Sequence, residues 1–81
     1  MDLYINNLAP STVEEQLQTL FEPFGEVSGI KMNRKSFTKM NKANAVLSMR
    51  NRQQAVEAMN ALNHTSFNGK KITVNEALPR L

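Results

Sequence analysis

The feature that most constrains this fold is the alternation in Lys42-Ala43-Asn44-Ala45-Val46-Leu47-Ser48-Met49. Successive side chains of a strand point to opposite faces. Ala45, Leu47 and Met49 then share one face, and Asn44, Val46 and Ser48 share the other. The first set can enter a core. The second carries neither a charge nor a large hydrophobe, which is unusual for a face turned to water.

Three more segments alternate in the same way. Leu3-Tyr4-Ile5-Asn6-Asn7 reads as a strand with Leu3 and Ile5 inward and Tyr4 outward. Val27 to Met32 is a strand with Ile30 and Met32 on one face and Gly29 and Lys31 on the other. Lys70-Lys71-Ile72-Thr73-Val74-Asn75 is a strand that follows the tight-turn signal Asn68-Gly69.

Two helical periods separate the strands. Ser11-Thr12 offers an N-cap and Thr12-x-x-Glu15 a capping box. Leu17, Leu20, Phe21 and Phe24 follow at helical spacing, and Pro23 and Gly25 stop the helix. Glu14 and Glu15 lie in its first turn, where the helix dipole favours them. Arg50-Asn51-Arg52 leads into a second helix with an apolar stripe of Ala55, Ala58, Met59 and Leu62, closed by Asn63-His64. Asn33 to Asn41 is a polar, basic connection.

The order strand, helix, strand, strand, helix, strand predicts an α+β, ferredoxin-like βαββαβ sandwich. Its four-stranded antiparallel sheet carries two helices on one face and leaves the other open. We place one domain at residues 1–77 and a short tail at 78–81. The expected open face carries Tyr4, Asn6, Gly29, Lys31, Asn44, Val46, Ser48, Lys71, Thr73 and Asn75.

Composition removes whole function classes. The 81 residues include no cysteine and a single histidine, His64. Disulfides, thiolate metal sites, a Cys nucleophile and a multi-His site are therefore excluded. There is no nucleophile–base pair and no Gly-rich phosphate loop, so an enzyme has no support and no cofactor is expected. No apolar run approaches the roughly 20 residues of a membrane span. No secretory signal is read at the N-terminus, and a cytoplasmic location is expected.

The net charge is +3, with a pI near 9.6. That mild excess favours a polyanionic partner. Its distribution says more: Lys31, Arg34, Lys35, Lys39 and Lys42 follow one another with no acid among them. Glu14, Glu15, Glu22 and Glu26 gather in and around the first helix.

At this point the residues resemble the RNA recognition motif (RRM) family. Leu3-Tyr4-Ile5-Asn6-Asn7-Leu8 is similar to the family's second ribonucleoprotein motif at every defined position. Glu14-Glu15-Gln16-Leu17, Leu20-Phe21 and Phe24-Gly25-Glu26-Val27 look like its first helix and exit. Ala55, Ala58-Met59 and Ala61-Leu62-Asn63 look like its second helix. Asn68 to Ala77 is similar to its last strand and the start of its tail. The resemblance covers nearly the whole chain and suggests a stand-alone single-RRM protein of bacterial type.

The match thins at the alternating stretch described first. The family's first motif runs basic, Gly, aromatic, small, aromatic, aliphatic, any, aromatic. Lys42, Ala45 and Leu47 keep their roles. Asn44 and Val46 stand where two exposed aromatics are expected, Ala43 replaces Gly, and Met49 replaces the inward aromatic. Of the three aromatics that usually stack bases, Tyr4 remains.

The resemblance implies binding of single-stranded RNA on the open sheet. Tyr4 would stack a base and Val46 would offer apolar contact. Asn6, Asn44, Ser48, Thr73 and Asn75 would hydrogen-bond base edges or a 2′-OH. Lys31 and Lys71 on the sheet, and Arg34, Lys35, Lys39 and Lys42 on the rim, would meet phosphates. Binding is expected to be weak and of modest specificity, by a monomer. The alternative is an RRM-like protein-interaction module using the depleted sheet or the helical face. Asn7 is expected to brace the loop after the first strand. Phe21, Phe24, Phe67, Met49 and Met59 are core residues. Arg50, Arg52 and His64 belong to helix ends.

Overall fold

The apolar side of each alternating strand needs a cover, and two short amphipathic helices supply it. In the computed structural model the described residues are 1–34 and 43–77, the side chain of Arg34 excepted. The elements are β1 (Asp2–Leu8), α1 (Glu14–Phe21), a 3-10 turn (Glu22–Phe24), β2 (Val27–Arg34), β3 (Ala43–Met49), α2 (Arg52–Leu62), β4 (Ser66–Phe67), β5 (Lys70–Lys71) and β6 (Thr73–Glu76). The main sheet has the order β2-β3-β1-β6, and every pair in it is antiparallel. This is the ferredoxin-like arrangement that the order of elements predicts.

The core lies between the sheet and the helices. Leu3, Ile5 and Leu8 of β1, Ala45, Leu47 and Met49 of β3, and Val74 of β6 are buried. Leu17 and Phe21 of α1 and Ala55 and Ala58 of α2 meet them, with Leu20, Phe24, Met59, Leu62 and Phe67 packed at the margin. Small residues on α2 let its backbone approach closely. A Cβ on Gly25 would sit on the Gln54 side chain of α2, 3.0 Å from its Cβ.

Helix α1 begins later than the capping-box signal predicts. After a turn at Pro10 and Ser11, Val13 is extended and stands at the N-cap, so the helix starts at Glu14. Gln16 Oε1 accepts the Val13 N–H at 3.1 Å. Thr12 is buried instead of capping, and its hydroxyl oxygen accepts from Asn68 Nδ2 at 3.2 Å. Helix α2 has a side-chain cap: Asn51 Oδ1 accepts the Gln54 N–H at 2.9 Å.

The largest departure from the sequence reading is the fourth strand. Lys70 to Asn75 is not one strand. Lys70 and Lys71 pair with Phe67 and Ser66 in a separate two-stranded hairpin. Asn68 and Gly69 both take positive φ, 52° and 80°, as a tight hairpin turn requires. Ile72 exchanges backbone hydrogen bonds with His64 and Thr65, at 2.8 and 2.9 Å. Only from Thr73 onward does the chain pair with β1. Lys71 therefore lies outside the four-stranded sheet.

Two bulges shape the sheet. Between Ile5 and Leu8, β1 advances one residue more than β3. Asn7 occupies this bulge with φ 63° and donates from Nδ2 to the Lys71 carbonyl at 2.8 Å. It braces the end of β1 against the hairpin, where the sequence points to a brace on the loop after the first strand. The second bulge lies in β2 between Val27 and Gly29.

Candidate functional site

Because both helices lie on one side, the polar sides of the strands form one continuous surface that no described helix covers. Register places Lys31 opposite Val46, Val46 opposite Tyr4, and Tyr4 opposite Asn75. One row thus crosses all four strands, in the order Lys31, Val46, Tyr4, Asn75. At about 4.8 Å between strands it spans roughly 14 Å. Tyr4 is 38% exposed; Val13, near the start of α1, is the other large exposed hydrophobe among the described residues.

A second row begins with Asn33 opposite Asn44, and at the far side Asn6 lies opposite Thr73. The sequence reading put Asn33 in the connection. The structure continues β2 through Arg34, so Asn33 stands on the open face. The signal was present, since Asn33 keeps the two-residue period of Gly29 and Lys31. Around Tyr4 the face therefore gathers four asparagines, at positions 6, 33, 44 and 75.

A third row holds Gly29, Ser48 and Asp2. Ser48 Oγ donates to Asp2 Oδ1 at 2.6 Å. The sequence alternation marks the first strand from Leu3, whereas β1 starts one residue earlier, at Asp2. The alternation that turns Tyr4 outward also turns Asp2 outward. This corner of the face is acidic, not neutral.

Tyr4, Asn6, Lys31, Asn44, Val46, Ser48, Thr73 and Asn75 are thus brought together. Lys71 is exposed on the neighbouring hairpin, away from the rows. Arg34 ends β2 opposite Ala43. Lys35, Lys39 and Lys42 lie outside the described residues. Arg50 and Arg52 stand apart from the face. Arg50 Nε lies 3.7 Å from Glu26, and Arg52 Nη1 lies 3.7 Å from Glu76 on the helical side. The first pair is largely exposed and the second is half-buried only at Glu76, so both add little stability. No helix among the described residues is long and apolar enough to cross a membrane.

The RNA recognition motif profile matches residues 3–73. An uncharacterised RNA-binding protein of Schizosaccharomyces pombe is 30% identical over 76 residues, which are 94% of this chain and 26% of that protein. The protein elav of Drosophila melanogaster is 36% identical over 73 residues, 90% of this chain and 15% of that protein. The chain spans about a quarter or less of these two relatives. Both are eukaryotic, so they give no support to the bacterial form suggested by the sequence.

Among solved structures, the RNA-binding protein PG1 is 28% identical with a TM-score of 0.85, covering 100% of this chain and 98% of that one. A Sex-lethal protein–RNA complex is 28% identical with a TM-score of 0.80, covering 94% of this chain and 47% of that one.

Proposed function

The chain belongs to the RNA recognition motif family, and we propose that it binds single-stranded RNA on the open face of its sheet. The observation that carries this reading is the row Lys31, Val46, Tyr4, Asn75, which sets a cation, an aromatic ring and an amide in register on the face away from both helices. Tyr4 stacks an unpaired base. Asn6, Asn33, Asn44, Thr73 and Asn75 offer hydrogen bonds to base edges and 2′-hydroxyls. Lys31 meets a phosphate, with Arg34, Lys35, Lys39, Lys42 and Lys71 as rim cations. Relatives described as RNA-binding, and a structural relative seen with RNA, support the reading.

The affinity is modest. Each base–aromatic stack is worth about 1–3 kcal/mol. Asn44 and Val46 in place of two aromatics therefore remove about 2–6 kcal/mol relative to a face with all three. The remaining electrostatic share makes binding salt-sensitive. In this proposal residues 1–77 form the binding domain, residues 78–81 are a tail, and the protein acts as a cytoplasmic monomer.

Amide NMR during titration with short single-stranded RNA tests the reading. Shifts confined to β1, β2, β3 and β6, weakened by salt and lost in Tyr4→Ala, are expected. An unresponsive sheet at high micromolar RNA in low salt would sink it. The loss of two stacking aromatics also favours a second reading, a protein ligand on the same face. A nuclease-resistant partner that shifts the same amides, with RNA shifting none, would replace the first reading by the second.

A further inference from the structure

We infer that Asp2 is a specificity-determining residue, selecting guanine for the base next to the one stacked on Tyr4. The inference rests on the RNA-binding reading and deepens it. Its ground is an acid on a surface otherwise suited to a polyanion.

Asp2 is held firmly for a residue at the start of a strand. Its carbonyl accepts the Ala77 N–H at 2.8 Å, which ties it toward β6. On the other side, Met1 and Met49 exchange backbone hydrogen bonds at 2.9 and 3.0 Å. The Ser48 hydroxyl then fixes the side chain by donating to Oδ1 at 2.6 Å. Asp2 is an exposed residue. Neither ion pair among the described residues involves Asp2; they use Glu26 and Glu76. A carboxylate can accept hydrogen bonds at about four lone-pair sites, so one bond from Ser48 leaves most of its capacity open.

Asp2 precedes Tyr4 by two residues on the same face, which sets the two Cα atoms about 7 Å apart. That is within reach of the edge of a base beside the one stacked on the ring. A carboxylate repels phosphate and can only accept, so it must be met by donors. In single-stranded RNA adjacent donors lie on base edges. Guanine alone presents two side by side, N1–H and N2–H, which fit the two carboxylate oxygens as a bidentate pair. Uracil sets one N–H between two carbonyl oxygens. Adenine and cytosine each set an amino group beside a ring acceptor. The same carboxylate therefore favours guanine and opposes uracil. A bidentate base contact discriminates by roughly ten- to a hundredfold.

The test uses fluorescence anisotropy with labelled RNA octamers: all-uridine, and the same sequence with one central guanosine, inosine, adenosine or cytidine. Inosine keeps N1–H and lacks the 2-amino group. The wild-type chain should bind the guanosine octamer about tenfold or more tightly than the uridine and inosine octamers. Asp2→Ala and Asp2→Asn should level these affinities to within about twofold, with amide spectra showing an intact fold. Ser48→Ala, which removes only the orienting hydroxyl, should reduce the preference while keeping its order. RNA bound without guanosine preference, or a preference that survives in both Asp2 variants, overturns the role of Asp2 and leaves RNA binding standing. Failure to bind any octamer in low salt overturns both.

Discussion

The two faces of β3 differ in what they ask of their residues. On one, Ala45, Leu47 and Met49 are buried against α1 and α2. On the other, Asn44, Val46 and Ser48 stay half-exposed in the rows with Tyr4 and Asp2. Packing governs the first face, where each change of volume is felt by close-packed neighbours. Among the described residues neither helix packs on the second face, so its side chains are less constrained by packing. Mutations should therefore separate into those that change stability alone and those that change binding alone.

The sharpest contrast is expected from Phe21→Ala. Phe21 is wholly buried under the sheet. Its truncation should lower unfolding free energy by about 3–5 kcal/mol, read from the urea midpoint. Any guanosine preference in the molecules still folded should persist. A loss below 1 kcal/mol would break the assignment of Phe21 to the core.

Val46→Phe tests the other face. It restores an aromatic between Lys31 and Tyr4 in the row across the sheet. RNA affinity should rise by about 1–3 kcal/mol. Stability should move by less than about 0.5 kcal/mol, since Val46 lies outside the core. A gain in stability with no gain in affinity would point to a covered face.

The smallest effect is expected at neither face. Asn51→Ala removes the side-chain cap of α2, where Oδ1 accepts the Gln54 N–H at 2.9 Å. Thermal unfolding should show a loss of about 1 kcal/mol. RNA titration should be unchanged, because the cap bonds only within α2 and is no part of the rows. A change in affinity would show that α2 and the open face are coupled.

Much of this was readable along the chain. The alternation of Leu3, Tyr4 and Ile5, and of Ala45, Val46 and Leu47, places each residue on its observed face. The stripe Ala55, Ala58, Met59, Leu62 is the observed contact side of α2. Thr12 shows the limit of such local signals. Its pattern with Glu15 fits a cap, yet its hydroxyl is taken by Asn68, 56 residues away. Lys71 fails for a related reason. The run Lys70 to Asn75 alternates without a break, but its hydrogen-bond partners change at Ile72, from the hairpin to β1. Period reports which way a side chain points and says nothing of which strand lies alongside.

The sequence by itself determined the order of elements, the two-sidedness of each strand and the absence of thiol chemistry, because these depend on residue type and on short spacing. The tertiary structure decided what shares a surface. It set Asn33 beside Asn44, carried Lys71 off the sheet and joined Asp2 to Ser48 across 46 residues. The physical reason is register: two bulges, at Asn7 and near Ser28, fix how β1 and β2 slide along β3. Those offsets settle which exposed side chains stand side by side on the open face.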